Sequence, residues 1–315
     1  MARDAAVPDS VDPIGVNLVR GDGQHGLLYP EGLDDYLRPR PLIDVDIVLV
    51  ESEADTPLPK LVRVEDGVPP VYDHVLAYIG SGRSCPVLPP SAAYFRDDQS
   101  ALLRRHIDAH LDALVAQTPV YGLVLTGGKS ERMGSDKGAI EYHGQTQAAR
   151  CIELLRPHCD EVFVSLRAEQ AGDAAYRAYP QIHDRFLGFG PMGGILSAQK
   201  AHPQAAWLVL ACDLPFVDAE TLESLVSRRN PFKLATAYVS AHDGFPEPLC
   251  AVYEPKSIFR LTQFLALGYH CPRKVLINSD TWLLELPEAR ALDNANTPDE
   301  RAAALDALSP GAARR

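Results

Sequence analysis

The chain has 315 residues, of which 46% are hydrophobic, so it carries enough apolar side chains for more than one domain core. Its formal net charge of −12 argues against a nucleic-acid partner or an anionic membrane surface. The six cysteines form no C-x-x-C pair and no apolar run reaches the roughly 18 residues of a membrane span, so we expect a protein of the reducing cytoplasm.

The first 118 residues predict a flexible tail over residues 1–15 and a small α/β domain over residues 16–116. Apolar runs predict strands at 45–51, 61–64 and 75–79. Apolar residues at helical spacing predict a helix within 97–116. This part of the chain holds 10 Lys+Arg against 19 Asp+Glu, which is most of the net negative charge. An anionic substrate would therefore meet less repulsion in the rest of the chain.

Residues 119–308 predict a second, larger domain in which strands alternate with helices. The predicted strands lie at 120–125, 161–166, 182–184, 207–213, 234–239, 249–253 and 282–286. The predicted helices lie at 146–155, 218–227 and 257–267. Such alternation is typical of a mainly parallel sheet covered by helices on both faces. The predicted fold class is therefore α/β, with a Rossmann-like, mainly parallel sheet and a smaller N-terminal α/β domain.

The larger domain is organised around the stretch from Val120 to Gly138. Its apolar run ends in Thr126-Gly127-Gly128. A polar loop follows, with the side chains Lys129, Ser130, Arg132 and Lys137. Two glycines let the backbone approach a ligand closely, the N–H groups of the turn can donate to it, and the cations can neutralise its charge. The stretch predicts a binding site for a phosphate chain; an ordinary strand-to-loop turn with surface charges is the alternative.

The ending Gly128-Lys129-Ser130 invites comparison with the P-loop, whose pattern is G-x-x-x-x-G-K-[ST]. The position five before Gly128 is Leu123, inside the apolar run, and Gly122 stands one residue too early. The intervening residues also predict a strand, whereas the P-loop requires a loop there. We therefore exclude a P-loop.

The stretch instead resembles the signature of nucleotidyltransferases that activate small phosphorylated molecules, roughly L-x-G-G-x-S-x-R-M-G-x-D-K. The matching residues are Leu125, Gly127, Gly128, Ser130, Arg132, Met133, Gly134, Asp136 and Lys137. The form with Gly-Gly and Asp-Lys looks most like molybdenum cofactor guanylyltransferase of the MobA type, whereas cytidylyl-transferring relatives more often carry Ala-Gly and Pro-Lys. The resemblance implies an Mg²⁺-dependent enzyme that transfers GMP from GTP to molybdenum-molybdopterin and releases pyrophosphate.

The resemblance also implies which residues hold the nucleotide and its metal ion. The implied nucleotide-binding residues are Leu125, Thr126, Gly127, Gly128, Lys129, Ser130, Lys137, Asp184, Gly193, Gly194 and Asp213. Arg132, Lys137 and Asp213 are the implied catalytic residues. Asp213 follows an apolar strand, where ligands of α/β sheets gather, and a carboxylate suits Mg²⁺. Asn296 is the implied second Mg²⁺ ligand, although the adjoining Thr297-Pro298 also fits a helix cap.

The segment Gly188-Phe-Gly190-Pro-Met-Gly193 formally matches the dinucleotide-binding pattern G-x-G-x-x-G. It fails as that fingerprint because no clear strand precedes it and Pro191 stands where a helix begins. In the family that the chain resembles, a G-P-x-x-G loop lines the nucleotide site. The segment therefore predicts a ligand-facing loop that enters a helix, with a purely structural turn as the alternative.

Two features leave the base and the acceptor open. Ser165 stands where the family tends to have Asn, and a shorter side chain presents fewer groups to a base edge. The segment Pro246-Glu-Pro-Leu249 is predicted either to approach the acceptor or to be a Pro-rich loop before a strand. A cytidylyltransferase that acts on molybdopterin or on a sugar or alditol phosphate therefore remains an alternative.

Residues 45–51 and 57–64, which read V-D-I-V-L-V-E and P-L-P-K-L-V-R-V, resemble part of a MobB-type GTP-binding accessory protein. That family begins with a P-loop, which this chain lacks, so we do not expect nucleotide hydrolysis by residues 16–116. A structural or docking role is favoured, including docking to molybdoenzyme maturation proteins. A non-catalytic adaptor for cofactor-handling enzymes is thus another alternative, although Lys137 and Asp213 argue against it.

Overall fold

The computed structural model describes residues 17–21, 24–28, 59–64, 72–82, 88, 92–126, 138, 140–142, 144–295 and 297–308. The chain divides into two compact units, one comprising Leu49–Pro119 and the other Met1–Val48 with Val120–Arg315. The predicted tail (1–15) and the predicted strand at 45–51 lie outside the described residues. So do the predicted site residues Gly127, Gly128, Lys129, Ser130, Arg132, Lys137 and Asn296.

Two small sheets lie within the described part of the first 119 residues. Their strands are β1 (Asn17–Gly21), β2 (Gln24–Leu28), β3 (Lys60–Val64), β4 (Val75–Gly80) and β5 (Tyr94–Arg96). Strands β1 and β2 form an antiparallel hairpin that the sequence analysis did not predict, whereas β3, β4 and β5 pair in that order as a parallel sheet. Helix α1 (Ser100–Ala116) follows β5, which confirms the predicted helix. The predicted strands at 61–64 and 75–79 are confirmed as well.

The larger unit is built on a seven-stranded sheet. Its strands are β6 (Val120–Leu125), β7 (Glu161–Leu166), β8 (Gln181–His183), β9 (Ala206–Ala211), β10 (Ala235–Val239), β11 (Pro246–Tyr253) and β12 (Thr281–Leu284). Their order across the sheet is β12-β10-β11-β9-β6-β7-β8. All neighbours are parallel except those of β11, which runs antiparallel to β9 and β10. The predicted mainly parallel sheet is confirmed.

Six helices belong to the described part of this unit. They are α2 (Gln147–Leu155), α3 (Pro191–Ala201), α4 (Ala219–Ser227), α5 (Ser257–Ala266), α6 (Pro272–Ile277) and α7 (Pro298–Leu308). The predicted cap of α4 is confirmed, since the Asp218 carboxylate accepts a hydrogen bond from the Thr221 N–H at 2.9 Å. Pro191 is the first residue of α3, as its position in the sequence predicted. The six-residue α6 was not predicted.

Burial follows from how the sheet is covered. All six residues of β9 are buried, as expected for a central strand with helices on both faces. The segment from Pro246 to Leu249 was predicted as a loop in one interpretation, and that interpretation is wrong because these residues begin β11. Pro246 is tolerated as the first residue of the strand, where β10 and β11 also shift register.

The strand order creates a crevice at one edge of the sheet. From β6 the chain proceeds to β7 and β8 on one side, and it returns to β9 on the other side. Leu125, the last residue of β6, pairs with Ser165 of β7 and with Ala211 of β9. In open α/β sheets ligands bind at such a switch point, outside the carboxyl ends of the strands. The residues that follow β6, β7 and β9 therefore define where a ligand would lie.

Candidate active site

Asp213 lies at the switch point between β6 and β9. The Cys212 N–H donates to the Leu125 carbonyl oxygen at 3.1 Å, so the pairing of β6 with β9 continues past the last residue of each strand. Asp213 comes next and is half-buried, and its carbonyl oxygen accepts a hydrogen bond from the Ala295 N–H at 3.0 Å. The structure thus brings the predicted metal ligand next to the end of β6, where the signature loop starts.

The two ends of the signature loop lie next to each other. Thr126 precedes the loop and is buried. At the other end, a Cβ atom placed on Gly138 would lie 3.3 Å from Thr126 Cβ and would collide with the Tyr176 hydroxyl. Only glycine fits at position 138 without displacing these neighbours. The roles assigned to the residues between Thr126 and Gly138 stay predictions, since those residues lie outside the described part of the chain.

A chain of hydrogen bonds joins the ends of β6, β7 and β8. The Thr126 hydroxyl donates to the Ser165 carbonyl oxygen at 2.9 Å, and the Ser165 hydroxyl donates to Asp184 Oδ1 at 2.9 Å. The Asp184 N–H donates to the Leu166 carbonyl oxygen at 2.8 Å. Burial raises the pKa of the Asp184 carboxyl, while the Ser165 hydrogen bond and nearby positive groups oppose that rise. A half-buried carboxylate in the crevice suits a ligand that donates hydrogen bonds.

The two glycines at the start of α3 pack against this network. A Cβ atom on Gly194 would lie 2.6 Å from Ser165 Oγ and 2.9 Å from Leu125 Cδ2. A Cβ atom on Gly193 would collide with the Phe186 carbonyl oxygen. The glycines therefore let α3 approach the sheet closely, which is a packing requirement that needs no ligand. Their predicted contact with the nucleotide stays a prediction.

A cleft with a volume of about 70 Å³ lies beside Asp213. Its lining residues are Asp213, Leu214, Glu247, Pro248, Leu249, Cys250, Arg273, Leu292 and Asn294. The Arg273 guanidinium donates to Asp243 Oδ2 at 2.8 Å and to Glu247 Oε2 at 2.7 Å. The sequence analysis missed Arg273 because it lies on α6, which was not predicted. The segment from Pro246 to Leu249 contributes Glu247, Pro248 and Leu249 to this lining, and its approach to an acceptor stays a prediction.

The segment before α7 returns to the site. Ala295 hydrogen-bonds to the Asp213 backbone, so the chain position before Asn296 lies beside Asp213. Thr297 and Glu300 cap α7 reciprocally: the Thr297 N–H donates to Glu300 Oε2 at 3.0 Å and the Glu300 N–H donates to Thr297 Oγ1 at 3.2 Å. Thr297 is thus a cap, as its alternative interpretation held.

A magnesium ion fits the donor chemistry of this site. Within the described ranges, no group of three or more His, Cys, Asp or Glu side chains could hold a metal ion. Mg²⁺, however, commonly binds through one or two carboxylates and takes its other oxygens from water and substrate phosphates. A single carboxylate such as Asp213 therefore suits an Mg²⁺ ion that arrives with a triphosphate.

None of the described helices is long and apolar enough to cross a membrane.

Comparisons with known proteins point to one family. Residues 122–281 match the family of MobA-like NTP transferase domains. A molybdenum cofactor biosynthesis bifunctional protein from Synechocystis sp. is 40% identical over 186 residues, which are 59% of this chain and 54% of that relative, so the match spans about half its length. A molybdenum cofactor guanylyltransferase from Pseudomonas putida is 33% identical over 196 residues, 58% of this chain and 96% of that protein. The crystal structure of molybdopterin-guanine dinucleotide biosynthesis protein A from Archaeoglobus fulgidus has 26% identity and a TM-score of 0.50, covering 60% of this chain and 98% of its own.

Proposed function

This chain belongs to the family of MobA-like NTP transferase domains, and from that premise we propose that it transfers GMP from GTP to a molybdopterin phosphate and releases pyrophosphate. The observation that carries the proposal is the position of Asp213. It follows the buried strand β9 beside the end of β6, at the switch point of a mainly parallel sheet. A carboxylate there is suited to a metal-bound triphosphate.

The proposed reaction is an in-line attack by an acceptor phosphate oxygen on the α-phosphorus of the nucleotide. A phosphomonoester has its second pKa at about 6, so the acceptor is already largely ionised at pH 7. No residue is therefore needed to remove a proton from the nucleophile. The protein has to align the two phosphates and neutralise their charge, which is how phosphoryl-group transfer is generally catalysed.

We assign Mg²⁺ to Asp213, with Asn296 as its second protein ligand. When bound, the ion neutralises phosphate charge and stabilises the leaving pyrophosphate. The carboxylate of Asp213 supports this assignment, because Mg²⁺ prefers oxygen ligands. The predicted partners of the triphosphate in the signature loop, Lys129, Arg132 and Lys137, belong to the same proposal.

The cleft beside Asp213 is the proposed place of the acceptor. Arg273 can exchange one of its carboxylate partners for an acceptor phosphate, and Asn294 offers both a donor and an acceptor at the same wall. The cleft therefore has the chemistry to hold an anionic, polar molecule next to the metal site. We also propose that residues 16–116 dock to molybdoenzyme maturation proteins. The protein is proposed to act in the cytoplasm.

The test offers the purified full chain GTP, CTP, ATP or UTP with Mg²⁺ and molybdopterin, and measures the dinucleotide product by mass together with released pyrophosphate. We expect product from GTP and loss of product in Asp213→Asn. The matched control is Asp112→Asn, which changes an exposed Asp on α1. Product from CTP alone would establish the cytidylyltransferase alternative. No product from any nucleotide, with tight binding to a molybdoenzyme maturation protein, would establish the adaptor.

A further inference from the structure

The Ser165 side chain has a specific hydrogen-bond partner. Its hydroxyl donates to Asp184 Oδ1 at 2.9 Å, and its own carbonyl oxygen accepts from the Thr126 hydroxyl at 2.9 Å. Ser165 is also buried. Among the described residues, the Ser165 hydroxyl is the only side-chain donor that hydrogen-bonds to the Asp184 carboxylate. Asp184 Oδ2 therefore stays available to a ligand in the crevice.

The hydroxyl is held in a narrow slot between β7 and α3. A single added methyl group on Gly194 would come within 2.6 Å of Ser165 Oγ. The same methyl group would come within 2.9 Å of Leu125 Cδ2, so the slot cannot widen on that side without moving β6. A longer side chain at position 165 would meet the same walls. The fold thus accommodates a short hydroxyl side chain that points to Asp184.

We propose that Ser165 is a positioning residue, whose hydroxyl orients the Asp184 carboxyl so that Oδ2 accepts a hydrogen bond from a donor group of the nucleoside. This inference rests on the proposed nucleotide-binding function. In this proposal Asp184 contacts the nucleoside, and Ser165 acts only through Asp184.

The electrostatic surroundings of Asp184 support this role. Burial raises the pKa of its carboxyl, and the Ser165 hydrogen bond is the largest opposing influence, followed by the charges of Arg167 and His183. Arg167 directly follows β7, and His183 is the last residue of β8, next to Asp184. Removal of the hydroxyl should therefore raise the pKa of Asp184 further, so that the carboxyl becomes protonated at a higher pH than in the parent.

The test compares the full chain with Ser165→Ala and the control Ser257→Ala. Ser257 is a buried serine whose hydroxyl donates to the Glu254 carbonyl oxygen at 2.7 Å, away from Asp184. Carbon-detected NMR follows the titration of Asp184 in the ligand-free protein, with Asp184→Asn to assign its signal. Calorimetry then measures binding of Mg²⁺-GTP between pH 5.5 and 8.5.

We expect Ser165→Ala to raise the pKa of Asp184 and to weaken GTP binding about tenfold, with the larger loss at the acid end of the pH range. Ser257→Ala should match the parent. An unchanged Asp184 titration in Ser165→Ala, or an equal loss of binding at every pH, would overturn the proposal. If the parent protein binds no GTP at any pH, the proposed function fails, while the ligand-free titration still decides whether Ser165 controls Asp184.

Discussion

Gly194→Ala tests whether the packing between α3 and the sheet is as tight as the structure indicates. The new methyl group would stand 2.6 Å from Ser165 Oγ and 2.9 Å from Leu125 Cδ2. An extra methyl group in a well-packed core typically lowers the free energy of unfolding by about 1–3 kcal/mol. Displacement of the hydroxyl also weakens its bond to a carboxylate, worth about 1.5–3 kcal/mol. The better helix propensity of Ala returns up to about 1 kcal/mol. We therefore expect a net destabilisation of about 2 kcal/mol.

Urea unfolding followed by tryptophan fluorescence measures the stability of the larger unit, which contains Gly194. Both tryptophans, Trp207 in β9 and Trp282 in β12, belong to the seven-stranded sheet. The control is Gly172→Ala, because a Cβ atom there would meet nothing within 4 Å. Unchanged or increased stability of Gly194→Ala would refute the reasoning. The same substitution in a Ser165→Ala background should cost less, by about 1 kcal/mol, because one of the two colliding atoms is gone.

Three further substitutions probe the site and the core. Asp213→Asn should lower turnover about 100-fold or more while stability changes little, because it removes charge stabilisation of the phosphates. Arg273→Ala should raise KM for the acceptor and leave KM for GTP unchanged. Arg229→Ala should destabilise the protein by about 3–5 kcal/mol at pH 7, because it leaves the buried Glu254 carboxylate without its bidentate partner at 2.7 Å. Burial raises the pKa of Glu254, so this loss should shrink as the pH falls and Glu254 becomes protonated.

Each of these expectations has a control and a contradicting result. Normal turnover by Asp213→Asn would remove Asp213 from the mechanism, and Asp112→Asn should behave like the parent. An equal rise in both KM values for Arg273→Ala would place Arg273 outside a dedicated acceptor site. For the buried ion pair, Lys233→Ala serves as the exposed counterpart, since it loses a partly exposed pair with Asp280 and should cost at most about 1 kcal/mol. A loss of stability in Arg229→Ala that is independent of pH would contradict the role assigned to Glu254.

Much of the larger unit was predictable because its signals are local. The six-residue apolar runs of β6 and β9 predict buried strands, because a strand covered on both faces does not alternate apolar with polar residues. Asp218 precedes a helical pattern and therefore predicts an N-cap. This signal is local because the hydrogen bond that Asp218 accepts comes from a residue three positions later. The motif from Leu125 to Lys137 is long enough to indicate the family, which the comparisons then showed.

The parts that sequence could not supply are contacts between distant positions. Ser165 and Asp184 are 19 positions apart, and Glu247 and Arg273 are 26 apart, so no local pattern marks either pair. The function of Gly194 as a packing residue likewise depends on which strand α3 lies against.

The sequence by itself thus determined most strands of the larger unit, the cap of α4 and the chemical class of the signature, because those follow from the order of neighbouring residues. Only the tertiary structure decided what surrounds that signature. The strand order brings the ends of β6, β7, β8 and β9 to one crevice, where Asp213 and the Ser165–Asp184 pair become parts of a single candidate site. The physical reason is that hydrogen bonding and close packing act over a few ångströms in space, whatever the separation along the chain.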